Sequence, residues 1–293
     1  MEMRVLNYFV TVAKEENITR AAQILHITQP TLSRQLAQLE EETGVPLFVR
    51  SSGSRHITLT SEGLLLRRRA EELLALEKKT LQEIRQSEKE VSGLVSIGCG
   101  EIASTKLLAY FFQKIHQEHP MIRFDVYTAS HESILERLSD GLLDFGLLLG
   151  SINSDRYASL ALPVEERWVI LLPVDDPLAG RESLCSQDLT NRPLILPHSI
   201  DRQNLIRRWF GSKIPVSFVS CNLTANVAVM VRQGLGIAPV IEGSVPFDPA
   251  FIVARPLFPP VTTAVSLVWK KNDPLHPAAQ VFLQHAKQLD AII

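Results

Sequence analysis

The chain has 293 residues, 45% of them hydrophobic and 21% charged, with a net charge of −2 at pH 7. That length accommodates two or three domains with proper cores, and the balanced composition excludes a fibrous, low-complexity or disordered protein. No apolar run approaches the roughly 18 residues needed to cross a membrane. Three widely spaced cysteines, Cys99, Cys185 and Cys221, argue against a disulfide framework or a zinc ribbon.

The opening Met1-Glu2-Met3-Arg4 leads into an amphipathic pattern rather than an export signal, which predicts a cytoplasmic location. Leu6, Phe9, Val10 and Ala13 recur at helical spacing and predict a first helix. Residues 18–25 form a short second helix whose Ala21 and Ala22 permit close approach of a partner. The residues His26-Ile27-Thr28 then make a tight turn. Thr28 is the expected N-cap of a third helix with Pro30 in its first turn, where the missing N–H is harmless. Leu32, Leu36 and Leu39 bury one face of that helix; the other carries Gln29, Thr31, Ser33, Arg34 and Gln35, side chains suited to base edges and phosphates. No Asp or Glu occurs from Asn17 through Leu39, although acids flank both ends, and an acid-free face suits a polyanionic partner. The expectation is a helix-turn-helix over 18–37, with an ordinary packed helix pair as the alternative. After Gly44, two strand-like segments, 47–50 and 56–59, joined by Ser51-Ser52-Gly53-Ser54, predict a wing with Arg50 and Arg55 at or near its tip.

The run Ala21-Ala22…Thr28-Gln29-Pro30-Thr31-Leu32-Ser33-Arg34-Gln35-Leu36…Leu39-Glu40…Gly44-Val45-Pro46-Leu47-Phe48-Val49-Arg50…Leu59-Thr60-Ser61-Glu62-Gly63 resembles the LysR-type transcriptional regulators in order and spacing across the amino-terminal domain. The resemblance implies a winged helix-turn-helix over 1–58, a dimerising linker helix over 59–90 and a two-lobe effector domain like a periplasmic binding protein. It further implies promoter DNA contacts at Thr19, Gln29, Pro30, Thr31, Ser33, Arg34, Gln35, Arg50 and Arg55. A homodimer or homotetramer and engagement of RNA polymerase also follow from the resemblance.

From Thr60 a long helix is expected to run to about Glu90, with Leu66, Ala70, Leu73, Leu74, Leu81 and Ile84 as an apolar stripe. Such a stripe would pair with the same helix of a second chain, or pack on its own wing domain. Beyond Val91, strands alternate with helices, the pattern of a parallel α/β sheet. A second set begins at Trp168, and the last strand (264–269) and helix (277–289) are left to return to the first set. The expected lobes are therefore 91–163 with 264–293, and 164–263.

Ligands of open α/β sheets sit at strand carboxyl ends. Here those places carry Gly100, Glu101, Ile102, Ser104, Thr128, Ser130, Leu149, His198, Ser199, Asn222 and Thr224, which suit a small, polar, anionic effector. By the resemblance Ser130 and Asn222 are the best-matched contacts. Gly100-Glu101-Ile102 departs from the Ser or Thr common in relatives, and Glu101 would repel an acid unless turned away, or else recognise an amine. Two other classes compete. The run 95–101 is similar to the glycine-rich loop of S-adenosylmethionine-dependent methyltransferases, but lacks the third glycine and the acid ending the next strand. An exported solute-binding protein would share the clamshell without the helix-turn-helix. A redox switch through Cys99 and Cys221 is a further alternative. No catalytic grouping, metal or cofactor is expected.

Overall fold

A computed structural model describes residues 1–50, 57–84, 91–150, 152, 155–211 and 217–289. The chain divides into two compact units, Met1–Arg85 and Gln86–Ile293.

In the first unit, α1 (Met3–Glu15), α2 (Ile18–Ile24) and α3 (Gln29–Thr43) precede a two-stranded antiparallel wing, β1 (Phe48–Arg50) and β2 (Ile57–Leu59). The buried residues of α1 are Leu6, Phe9, Val12 and Ala13, so Val12 takes the place expected of Val10. Asn17 caps α2 by accepting the Arg20 N–H at 3.1 Å, and Thr28 caps α3 by accepting the Thr31 N–H at 3.4 Å. Between them His26 adopts φ 55°, the left-handed conformation that lets the chain reverse in a few residues. Glu40 ties helix to wing: its Oε1 accepts the N–H groups of Leu47 and Phe48 at 2.8 and 3.1 Å. The core joins Leu6, Phe9, Leu32, Leu36, Leu39, Leu47 and Phe48, with the Phe9 and Phe48 rings 5.2 Å apart.

The long helix α4 is described over Ser61–Ile84, and its expected extension to residue 90 lies outside the described residues. Four of its six stripe residues take the second of the two expected roles, packing on their own domain. Ala70 is fully buried in the first unit's core, and Leu66, Leu73 and Leu74 pack against that core. These residues are therefore occupied within one chain, and the part left exposed is Leu81, at 45%, together with Leu64, Leu65 and Leu76 on other faces.

The second unit is built on a sheet of order β10-β6-β11-β5-β3-β4, where β3 is Gly93–Cys99, β4 Ile122–Thr128, β5 Phe145–Leu149, β6 Tyr157–Pro173, β10 Ile252–Pro256 and β11 Thr262–Lys270. Strand β3 runs parallel to β4 and β5, while β11 is antiparallel to β5 and β6. Helices α5 (Thr105–Glu118), α6 (His131–Ser139) and the returning α9 (Pro277–Lys287) cover this first lobe. Its core gathers Val95, Ile97, Leu108, Phe111, Ile115, Phe145, Leu147 and Phe282.

The sequence places a strand only from Val169; the structure has one 17-residue strand, β6, whose first part pairs β11 and whose last part pairs β9 (Ala238–Ile241) and β10. Pro163 and the pair Glu165-Glu166 hide the first part from pattern reading, because neither belongs in an ordinary buried strand. The register slips between Ala264 and Val265 of β11, opposite residues 163 and 164 of β6, where the chain passes from one lobe to the other. Glu166 is buried there, at 3% exposure, and its Oε1 accepts the Ser104 N–H at 2.6 Å.

In the second lobe β7 (Leu194–Pro197) and β8 (Ser217–Cys221) run parallel, beside α7 (Ile200–Phe210) and the short α8 (Val227–Arg232). Alternate residues of β6 face opposite ways: Trp168, Ile170 and Leu172 join one cluster, Val169 and Leu171 another, so this sheet is buried on both faces. Asp176, in the turn after β6, accepts from the Arg192 guanidinium and from the Leu178 N–H at 2.9 Å. Burial raises its pKa, but the hydrogen bonds from Arg192 and Leu178 outweigh that and hold it below the usual carboxylate value. A carboxyl depressed in the folded state stabilises above its unfolded pKa and loses that contribution as pH falls through the folded value. Asp176→Asn should thus flatten the acid-side fall of the thermal midpoint with pH; an unchanged profile would remove Asp176 from the linkage.

Candidate nucleic-acid interface and ligand cleft

On the first unit, α3 presents the face expected. Gln29, Pro30, Thr31 and Arg34 are exposed, Ser33 and Gln35 half-buried, and Leu32, Leu36 and Leu39 buried beneath them. Side-chain bonds order the face: the Gln29 amide donates to Ser33 Oγ at 3.1 Å, and the Thr28 and Thr31 hydroxyls lie 2.8 Å apart. Arg34 has no hydrogen bond or ion pair among the described residues, unlike Arg20, whose guanidinium meets Glu15 at 2.7 Å. Thr19 is exposed on α2. Arg50 closes β1, and Arg55 lies outside the described residues.

In the second unit, the lobes approach where the turn after β3 meets the loops around α7 and α8. Six of the expected effector residues, Gly100, Glu101, Ser130, His198, Ser199 and Asn222, do converge on one pocket. That pocket has only about 10 Å³ of space, enough for roughly one water molecule. Glu101 does not face away: its carboxylate reaches the other lobe, accepting from the Thr224 N–H, from the Thr224 hydroxyl at 2.7 Å and from the Ala225 N–H at 3.2 Å. Thr224 is therefore a partner of Glu101.

Two other expected contacts are displaced for clear reasons. Ile102 is 4% exposed and belongs to the first-lobe core beside Leu107 and Leu108. Ser104 is 3% exposed, its N–H taken by Glu166. Ser130 caps α6 by accepting the Ser133 N–H at 3.3 Å while still lining the small pocket, and Thr128 ends β4, its hydroxyl 4.0 Å from Cys99 Sγ.

A second pocket, of about 320 Å³, shares His131, Ser199 and Arg202 with the first and is lined as well by Leu149, Ile152, Trp168 and Leu205. This volume falls at the lower end of the range typical of small-molecule sites. Arg202 lines both pockets and was not singled out by the sequence. Burial lowers its pKa from the ordinary value while Glu132 and Glu101 act the other way, and an arginine remains charged throughout.

The glycine-rich run 95–101 serves packing. A Cβ on Gly98 would stand 2.7 Å from side-chain atoms of Ile134 and Leu143, so this glycine lets α6 approach β3 and offers no cradle for a cofactor. Burial pushes the thiols of Cys99 and Cys221 up, which disfavours the reactive thiolate at these two positions. Among the described residues no cluster of His, Cys, Asp and Glu could hold a metal ion, and no described helix is long and apolar enough to cross a membrane.

A helix whose exposed opening turns are polar and free of acids up to Leu39, packed in a three-helix winged core and in one chain with a two-lobe α/β clamshell, defines a DNA-binding regulator with a small-molecule sensing domain. Comparison with known proteins agrees. Residues 3–64 match the model of the bacterial regulatory helix-turn-helix protein, lysR family, and residues 88–291 match the LysR substrate binding domain. The uncharacterized HTH-type transcriptional regulator YybE of Bacillus subtilis is 31% identical over 97% of this chain and 98% of its own. The Hca operon transcriptional activator HcaR of Escherichia coli is 30% identical over 97% and 96%. The crystal structure of full-length CbnR with its target DNA matches with a TM-score of 0.75 at 20% identity, over 99% of this chain and 100% of that one, a likeness of fold. The chain belongs to the LysR family of DNA-binding transcriptional regulators.

Proposed function

We propose that Gln29, Thr31, Ser33 and Arg34 read base edges in a major groove, with Thr19, Pro30 and Gln35 bordering the phosphates and Arg50 and Arg55 securing the wing. Two chains pair through α4 as a homodimer, and dimers pair again as a homotetramer, so that recognition helices meet successive half-sites at a fixed helical-turn spacing. Leu81 and the exposed leucines of α4 support this pairing. An effector in the cleft shifts the relative arrangement of subunits and with it the bend of promoter DNA and the engagement of RNA polymerase. The protein works in the cytoplasm without metal or cofactor and catalyses no reaction.

The observation that carries the DNA reading is the exposed, acid-free α3 face with Arg34 free of partners among the described residues. Arg34→Ala should weaken specific binding by about 1–3 kcal/mol, since a good arginine-to-guanine contact is worth that much, while leaving the thermal midpoint in place. Operator affinity equal to the wild type in a gel-shift titration at fixed salt would remove Arg34 from the interface.

A further inference from the structure

The turn after β3, residues 100–104, is rooted in the first-lobe core by Ile102 and reaches the second lobe through Gly100, Glu101 and Ala103. The Glu101 carboxylate accepts from the Thr224 N–H, from the Thr224 hydroxyl at 2.7 Å and from the Ala225 N–H at 3.2 Å, donors in the loop between β8 and α8. Ala103 packs against the second-lobe cluster of Trp168 and Ile206, and a Cβ on Gly243 would stand 3.7 Å from its own Cβ. Gly100 passes α7 so closely that a Cβ there would stand 3.4 Å from Arg202 Nη2. At its far end the turn is fixed to the strand that crosses between the lobes: the Ser104 N–H donates to Glu166 at 2.6 Å, and Glu166 pairs in register with Thr263 of β11. The Glu101 contact is the strong one, because each of its bonds is charge-assisted. The acceptor is part of the chain, so making the contact costs none of the translational freedom that a free anion would lose. Glu101 and Thr224 are nevertheless only half-buried and Ala225 is exposed, so water reaches the contact and it can be released.

We propose that residues 100–104 are a latch that holds the two lobes closed with no ligand present, and that Glu101 is its bolt. Closed is thereby the resting arrangement of the domain, and the pocket of about 10 Å³ beside Glu101 is the space that the fastened latch leaves. This goes beyond the reading that the domain senses a small molecule, since closure itself needs none. The two acids divide the work: Glu166 fixes the root of the latch against the crossing strand, and Glu101 makes the contact that opens.

The test is the distance between spin labels at Glu136→Cys on α6 and Asn204→Cys on α7, exposed positions on opposite lobes. It is measured without ligand in the full chain carrying Cys99→Ala, Cys185→Ala and Cys221→Ala, diluted into unlabelled chain. With Glu101 in place the distribution should be single and narrow; Glu101→Ala should lengthen and broaden it, and Glu101→Gln, which keeps the length but loses the charge, should fall between. Amide hydrogen exchange at Thr224 and Ala225 should quicken by about 10- to 100-fold in Glu101→Ala, the scale of a lost charged hydrogen bond. The Ser104 amide, held by Glu166, and the amides of β3 and β7 should keep their protection, which separates an opened latch from a lost fold. Thr224→Val, which removes the hydroxyl donor from the opposite lobe, should move both readouts the same way, and it decides the case if Glu101→Ala unsettles the core. The same distance distribution with and without Glu101 overturns the latch, even where exchange quickens, and a broad distribution in the chain that retains Glu101 overturns the closed resting state.

Discussion

Phe282→Ala should cost the second unit about 3–5 kcal/mol of stability, the range for removing a fully buried aromatic ring from a core that can only partly collapse. Phe282 is 0% exposed and sits among four other rings, its centroid 5.0 Å from Phe145, 5.7 Å from Phe111, 6.3 Å from Phe124 and 6.4 Å from Phe112. It belongs to α9, the helix that returns from the second lobe, so its loss loosens the element that closes the first lobe over β3 and β5. Denaturant unfolding of the variant checks this. A loss below about 1 kcal/mol, the size of an ordinary surface or peripheral change, would show that α9 contributes little to the lobe.

Gly63→Ala should destabilise the first unit by about 1–3 kcal/mol and reduce operator binding with it, the usual penalty for forcing atoms into a filled space. A Cβ at Gly63 would stand 2.1 Å from the carbonyl oxygen of Leu47, a backbone atom with no side-chain freedom to move aside, and 3.1 Å from Leu59 Cδ2. The close approach is built by Thr60, whose Oγ1 donates to Pro46 O at 2.8 Å and accepts the Gly63 N–H at 3.0 Å. The first turn of α4 is thereby clamped against the entry to β1, and any separation moves the wing. Ligand binding by the second unit should be unaffected, because its core shares no residue with that of the first. Wild-type stability and operator affinity in Gly63→Ala would contradict the clamp.

How much could be read from residues alone follows the range of the interactions involved. Helix α3 was legible because its determinants are local: a capping threonine, a proline in the first turn, three leucines at helical spacing and the left-handed Gly44 at its end (φ 72°). The return of β11 and α9 to the first lobe was legible from the pattern of elements left without neighbours. Strand β6 was only half legible, since Glu166 inside it is satisfied by Ser104, 62 residues earlier, and no periodicity announces such a partner. The fate of Glu101 was illegible for the same reason: its partners, Thr224 and Ala225, are more than 120 residues away. Arg202 lies on a helix segment rich in polar residues, Asp201-Arg202-Gln203-Asn204, where one arginine resembles any solvated charge until the cleft is seen. Leu66, Ala70, Leu73 and Leu74 teach the complementary lesson: the stripe on α4 was correctly read as apolar, but sequence periodicity does not distinguish a neighbour in the same chain from one in another.

Sequence-specific DNA binding through α3 is open to direct measurement. Selection of fragments from a genomic library by the purified full chain, followed by sequencing and footprinting, tests it most directly. Fragments carrying paired half-sites about one helical turn or a multiple of it apart should be enriched, with the enrichment lost in Arg34→Ala while salt-sensitive background binding persists. Fragments sharing no common element, or the same enrichment from the Arg34→Ala chain, would contradict it.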